Sequence, residues 1–201
     1  MTDSLDRQTI VLASGNAGKL RELNTLLAPL AVTLKPQAQF EVPEVEENGL
    51  TFVENALIKA RAAALHSGLS AIADDSGLEV DYLKGAPGIH SARYSGGGDE
   101  ANNIRLLKEL GDTPAAQRSA RFQCVLVYLR HARDPSPVIC QSSWEGSILM
   151  EPRGENGFGY DPLFYVPDHS CSSAELSLEI KNSISHRAKA SAMLFNTLRN
   201  L

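Results

Sequence analysis

Segments of two different hydrophobic periods alternate along the chain. Thr9-Ile10-Val11-Leu12-Ala13 is a continuous apolar run of strand length. Leu20, Leu23, Leu26, Leu27 and Leu30 then fall on one broad face of a helix near 18–28. A short strand is expected near 31–35, followed by an acidic loop from Glu41 to Gly49 that holds Glu44, Glu46 and Glu47. Thr51-Phe52-Val53-Glu54 has the form of a capping box and predicts a helix to about His66, stopped by Gly68. Ala71-Ile72-Ala73 reads as a buried strand ending at Asp74-Asp75-Ser76-Gly77, with Leu78 to Leu83 as a candidate further strand. A glycine-rich loop over 85–98 leads into a helix from Asp99 to Leu110, closed by Gly111.

The second half changes character. Ser119 to Arg130 alternates, with Ala120, Phe122, Cys124 and Leu126 on one side. Asp134-Pro135-Ser136-Pro137 turns it toward a partner at 138–145, which predicts an antiparallel pair. A glycine loop at 154–161, a strand at 163–166 and a final helix from about Ser185 complete the pattern. The fold class is therefore α/β, a central mixed twisted sheet flanked by helices.

The length of 201 residues suits one sizeable domain or two lobes sharing a core. We take 9–199 as a single domain and 1–8 as a polar tail unlike a signal peptide. A net charge of −5 without a basic block argues against a nucleic-acid polymer as ligand, whereas a small polyanion held through a metal is compatible. Cys124, Cys140 and Cys171 are an odd count without metal-ligand spacing, which reads as reduced thiols and a cytoplasmic setting. No apolar run approaches the ~18 residues of a membrane span.

Chemistry first suggests itself at Ser14-Gly15-Asn16-Ala17-Gly18-Lys19. An apolar strand feeding a glycine loop and a helix N-terminus makes an anion site, and Lys19 adds charge. The spacing is too short for a Walker A loop, and Leu20 stands where that motif needs Ser or Thr. An ordinary strand-to-helix turn explains this loop equally well. Asp74-Asp75 offers paired carboxylates at the edge where open α/β sheets bind ligands, a natural Mg²⁺ and water-activating set, with a simple turn as the rival reading. Glu46-Glu47 reads first as a solvated acidic loop, and Lys59 first as a surface lysine on an unusually alanine-rich helix.

Two further segments are pointed. Gly157-Phe158-Gly159-Tyr160-Asp161-Pro162 places an aromatic between glycines and a carboxylate before proline, a combination suited to a purine or to a rigid turn. Ser185-His186-Arg187 sets cations at a helix N-terminus against its dipole, and Lys181 precedes them by one turn. Such a broken local rule hints at a ligand.

Taken together, these pieces resemble the inosine triphosphate pyrophosphatase family, and within it the bacterial dITP/XTP pyrophosphatase branch. The matching segments are 14–19, 49–56, 73–77, 85–88, 91–96, 158–162 and 185–187, in family order over nearly the whole chain. The resemblance implies two lobes with an active-site cleft between them. It also implies a homodimer with no membrane or nucleic-acid partner. The implied reaction is Mg²⁺-dependent hydrolysis of deaminated 6-keto purine nucleoside triphosphates (ITP, dITP, XTP) to monophosphate and pyrophosphate. On it, Ser14, Gly15, Asn16, Ala17, Gly18 and Lys19 hold the triphosphate with Lys59 nearby. Asp75 is the proton acceptor and a metal ligand, and Glu46 is the second metal position, with Glu47 as the adjacent alternative. Ser76, Phe158, Gly159, Tyr160, Asp161, Lys181, His186 and Arg187 are nucleotide contacts. The alternatives are a Maf-type pyrophosphatase with another base preference and a non-catalytic nucleotide sensor.

Overall fold

The computed structural model describes residues 8–30 and 32–200. The polar tail up to Arg7, and Ala31 where the second strand was expected to start, lie outside the described residues. Seven strands form one sheet in the order β2-β1-β3-β4-β5-β6-β7: β1 (Gln8–Ala13), β2 (Val32–Pro36), β3 (Ser70–Val80), β4 (Ser119–Leu129), β5 (Val138–Ile148), β6 (Phe164–Val166) and β7 (Cys171–Ser172). β1 pairs in parallel with β2 and β3, whereas β5–β6 and β6–β7 are antiparallel, so the sheet is mixed. The helices are α1 (Ala17–Leu27), α2 (Phe52–Ser67), α3 (Asp99–Leu110), α4 (Leu178–Ile184) and α5 (His186–Leu198). The chain divides into two compact units, and β3, β4, β5 and α5 each contribute residues to both.

The first unit comprises residues up to Asp75, Val125–Gln141 and the chain from Ala190. Its parallel strands are covered on both faces, which is why 10–13 and 71–73 read as continuous apolar runs rather than alternating ones. The chain runs from β1 through α1 to β2 at the edge, then through α2 back to β3 on the other side of β1. Right-handed crossovers in opposite directions put the two helices on opposite faces, and β1/β3 becomes the point where strand order reverses. α1 buries Leu23 and Leu27, while Leu20, Leu26 and Leu30 are half-buried at the rim of the expected face. α2 packs on β1 and buries Ala56, Ala60, Ala63 and Ala64, a stripe at helical spacing.

The second unit comprises Ser76–Cys124 and Ser142–Lys189. Its core joins Leu78, Val80, Leu106, Leu110, Phe122, Trp144, Leu163 and Phe164. Phe122 lies against Phe164 with ring centres 4.5 Å apart. Arg118 is fully buried, and its guanidinium donates to the carbonyls of Gly111, Thr113 and Leu149 at 2.6, 2.8 and 3.1 Å, tying the turn after α3 to the end of β5.

The structure corrects several boundaries. The expected strand ending at Asp74-Asp75 and the one expected from Leu78 are a single strand, β3, so Asp74 and Asp75 lie mid-strand. Ala13↔Ala73 is the last rung of the β1–β3 ladder, and the two aspartates sit just past it, at the end of β1 but within β3. Residues 81–83 form a 3₁₀ turn rather than strand. β5 runs three residues beyond the expected 145, and α4 and β7 were not anticipated.

Candidate active site

In the first unit, the loop after β1 is built around Asn16. Its side-chain oxygen accepts from the Gly18 and Lys19 amides at 2.8 and 3.1 Å and caps α1. The Ser14 hydroxyl accepts from the Asn16 amide at 3.2 Å. Two of the amides that open α1 are thus held by the cap, and Gly15 and Ala17 are the loop amides outside it. Gly15 and Asn16 are exposed, and Lys19 turns inward to Asp74 at 2.5 Å.

Consecutive residues of a strand point to opposite faces. Asp74 meets Lys19 from α1, and Asp75 meets Lys59 from α2 at 2.6 Å. Each carboxylate is buried, and each draws its own lysine from the helix covering its face. Burial pushes the Asp75 carboxyl above the ordinary aspartate range, opposed by Lys59 and Lys19 and assisted by Glu47. Asp75 Oδ1 holds Lys59, whereas Oδ2 is buried without a hydrogen-bond partner. A buried oxygen left without a donor is costly unless a water or cation completes it.

The acidic loop is hooked onto the start of α2. Glu54 Oε2 accepts from the Leu50 amide and the Thr51 hydroxyl, both at 2.8 Å, and Asn55 Oδ1 accepts from the Gly49 amide at 2.9 Å. Lys59, one turn beyond Asn55, lies 3.4 Å from Glu47, and Glu46 is exposed. Glu47 is therefore the glutamate beside the Lys59–Asp75 pair. Arg61 donates to the carbonyls of Ala132 and Asp134 at the β4–β5 turn, a structural tie. No three His, Cys, Asp or Glu side chains gather as a metal cage among the described residues. Mg²⁺ does not need one, since it keeps several waters and takes one or two carboxylates. The hard, unpartnered Asp75 oxygen fits that demand.

In the second unit, Asp161 is the keystone. Its Oδ2 accepts from Lys181 Nζ at 2.6 Å and from the Phe158 amide at 2.9 Å, and its Oδ1 accepts from the Ser173 hydroxyl at 2.9 Å. Lys181, on α4, lies 5.1 Å from the centre of the half-buried Phe158 ring, and the Arg187 guanidinium lies 5.8 Å from it. Arg187 also donates to Ser76 Oγ at 3.0 Å. Ser185 caps α5, its hydroxyl accepting from the Ala188 amide at 3.2 Å, as its sequence position suggested. The His186 ring stacks on Phe122 at 4.8 Å and 14°, with Trp144 at 6.3 Å, and its carbonyl accepts from the Ser142 hydroxyl at 2.5 Å. Tyr160 is buried, and its hydroxyl donates to the Ser91 carbonyl at 2.9 Å. Gly159 is held by Asp99 and Asn103 of α3.

The structure thus brings Lys19, Lys59, Asp74, Asp75 and Glu47 together in the first unit, and Ser76, Phe158, Asp161, Lys181 and Arg187 in the second. Sequence reasoning passed over Glu47 as the Lys59 partner, and over Phe122, Trp144, Asp99 and Asn103. The first aromatic was visible only as a core position of the alternating strand, and the α3 residues only as ordinary helix polars.

A family model described as the Ham1 family matches residues 10–197. The dITP/XTP pyrophosphatase of Thioalkalivibrio sulfidiphilus is 60% identical over 192 residues, spanning 94% of this chain and 98% of that protein. The dITP/XTP pyrophosphatase of Shewanella oneidensis is 58% identical over 194 residues, 96% of this chain and 94% of that one. Among solved structures, a HAM1 protein from Coxiella burnetii aligns with a TM-score of 0.90 at 48% identity, covering 96% of this chain and all of that one.

Proposed function

This chain belongs to the Ham1 family, and from that premise we propose that it hydrolyses deaminated 6-keto purine nucleoside triphosphates to monophosphate and pyrophosphate. The substrates are ITP, dITP and XTP, and residues 9–199 act as one pyrophosphatase. The observation that carries the reading is Asp75: buried, raised above the ordinary carboxylate range, one oxygen on Lys59 and the other without a donor. A buried carboxylate with one oxygen unpartnered is placed to accept a proton from a water bound there.

In this reading Asp75 accepts the proton of a water that attacks the α-phosphorus, the α–β anhydride bond breaks, and pyrophosphate leaves. Lys19 and Lys59 offset the charge that builds on the phosphates, and the Gly15 and Ala17 amides donate to phosphate oxygens. Asp75 and Glu46 would hold Mg²⁺, with Glu47 beside Lys59 as the neighbouring carboxylate, and the bound ion supplies charge neutralisation at the phosphates.

Base selection falls to Phe158, Lys181, His186 and Arg187, with Ser76 on Arg187. The Phe158 and Gly159 amides are engaged by Asp161 and Asp99, and Lys181 or Arg187 would exchange a present partner for a 6-keto oxygen. A 6-amino group there sets donor against donor, which a site built for hydrogen bonding rejects by orders of magnitude. We also propose a cytoplasmic homodimer; no helix among the described residues is long and apolar enough to cross a membrane.

The test offers purified protein ITP, XTP, dITP, ATP, GTP and dTTP with Mg²⁺ and identifies the phosphate released. Pyrophosphate from the 6-keto purines with ATP left intact is expected. Orthophosphate release would sink the mechanism, equal turnover of ATP and ITP would sink the base reading, and binding without turnover would make the chain a sensor. Sedimentation of the protein checks the dimer.

A further inference from the structure

The loop assigned to the purine is gripped at Gly159 by α3, a helix that supplies none of the side chains assigned to the nucleotide. Gly159 has two backbone polar groups, and α3 takes both. Its N–H donates to Asp99 Oδ2 at 2.7 Å, and its carbonyl accepts from Asn103 Nδ2 at 2.9 Å. Asp99 and Asn103 are four residues apart, so they project from one face of α3 about 6 Å apart along the axis. Asn103 is nine-tenths buried, and its Oδ1 has no hydrogen-bond partner. A buried amide that leaves its acceptor unsatisfied in order to donate to Gly159 is an expensive way to hold a loop.

The two neighbours of Gly159 amplify the grip. Phe158 carries the ring proposed to meet the base, and its own amide is fixed by Asp161. Tyr160 is pinned through its hydroxyl to the Ser91 carbonyl, and that same carbonyl accepts from Asn102 Nδ2 at 3.3 Å, again from α3. Gly159 itself has φ +63, and a Cβ there would meet no heavy atom within 4 Å. The side-chain hydrogen bonds that hold its own backbone groups both come from α3.

We propose that Asp99 and Asn103 are positioning residues for base selection: by holding both polar groups of Gly159 they fix where Phe158 stands against the purine. This rests on the reading that Phe158 to Asp161 meet the base. Neither residue need touch the nucleotide. A displacement of the loop by about 1 Å would degrade a near-attack geometry by up to ~10²-fold.

The experiment compares kcat/KM for ITP and for ATP in Asp99→Ala, Asp99→Asn, Asn103→Ala and Phe158→Ala, with thermal unfolding of each. Asp99→Asn keeps an acceptor for the Gly159 amide. It is expected to retain the ITP-over-ATP ratio, whereas Asp99→Ala and Asn103→Ala lose roughly tenfold or more of it. A purely structural role would lower the melting temperature of the alanine variants and leave the ratio within twofold of the parent; that result overturns the proposal. If Phe158→Ala collapses the ratio while both α3 variants keep it, the α3 inference fails and the base-loop reading stands. If Phe158→Ala itself keeps the ratio, the base-loop reading fails and takes the inference with it.

Discussion

Two glycines of one loop, Gly157 and Gly159, separate backbone strain from a collision with the keystone carboxylate. Both have positive φ, +82 and +63, so alanine at either pays the left-handed penalty of about 1–2 kcal/mol. At Gly159 the new methyl meets nothing within 4 Å. At Gly157 it would stand 2.1 Å from Asp161 Oδ2 and 2.9 Å from Asp161 Cγ, far inside the contact distance of about 3.5 Å. Asp161 must then move by roughly 1 Å, and its bonds to Lys181 (2.6 Å), the Phe158 amide (2.9 Å) and Ser173 (2.9 Å) stretch past a useful length. Lys181 is buried, so separating it from Asp161 breaks a buried ion pair, a loss of about 3–5 kcal/mol when complete.

The expected ranking is therefore steep. Gly159→Ala lowers the melting temperature by roughly 2–8 °C. Gly157→Ala costs at least about 2 kcal/mol more than Gly159→Ala, since even partial separation of the buried pair exceeds the shared backbone penalty. Denaturant titration of the two proteins measures that difference, and steady-state kinetics measures its reach. In Gly157→Ala, KM for ITP rises and the preference over ATP falls, because Lys181 and Phe158 are both tied to Asp161. Equal stabilities for the two variants, or an unaltered preference in Gly157→Ala, would refute the claim that Asp161 organises this loop.

Asp75→Asn is expected to fold and bind ITP but lose about 10²–10⁴-fold in kcat, the usual worth of a general base, as single-turnover kinetics would show; near-normal turnover removes Asp75 from that role. Glu46→Gln is expected to raise the Mg²⁺ concentration for half-maximal activity; an unchanged Mg²⁺ titration there with a raised one for Glu47→Gln would move the second metal position to Glu47. Gly49→Ala places a methyl 2.6 Å from Glu54 Cβ and 2.8 Å from Asn55 Oδ1 and should unhook the acidic loop, read as faster proteolysis near 41–50 with α2 still intact by circular dichroism. Hydrogen bonds from Arg130 hold the Asp134 carboxyl well below the usual carboxylate range. A depressed carboxyl stabilises the fold above the unfolded pKa of about 3.9 and loses that contribution as pH falls below it. Asp134→Asn should therefore be less stable at pH 7 and show a shallower acid limb below about pH 4 in denaturation curves; parallel limbs would refute the linkage.

The elements of the first unit were legible because each carries its own local signal. The apolar runs of β1 and β3, the Thr51 cap and the Gly68 stop of α2 all agree with their tertiary setting. The aspartate pair misled for a physical reason. Asp-Asp-Ser-Gly favours turns when the chain is considered locally, yet β3 runs straight through it, because Lys19 and Lys59 stabilise the carboxylates where they stand. Those lysines lie 55 and 16 residues away, and no local window contains both. The same distance hid Asp99 and Asn103, which bond to backbone atoms of a residue some 60 positions on. A side chain that recognises backbone leaves no complementary residue in the sequence to betray it. The short strand β6 was expected at 163–166, but β7 was missed because two residues carry too little periodicity.

Three aspartate–lysine pairs, two in the first unit and one in the second, have one property in common. Asp74–Lys19, Asp75–Lys59 and Asp161–Lys181 each set a buried aspartate on a lysine that is itself mostly buried, at 2.5–2.6 Å. Buried pairs of this kind seldom add net stability over apolar packing, because both ions lose their water. Their value lies elsewhere. A lysine held dehydrated on a carboxylate is already stripped of the solvent that a phosphate or a keto oxygen would otherwise have to displace. On the proposed function, such a lysine would exchange one oxygen partner for another at little reorganisation cost when an anion arrives, which is the condition for strong electrostatic stabilisation of developing charge. At Asp75 the exchange has a second effect. On the proposed mechanism, Lys59 moving to a phosphate would free Asp75 Oδ1, the oxygen it now holds. Both carboxylate oxygens of Asp75 would then be open to a water or a cation, the arrangement the proposed reaction asks of it.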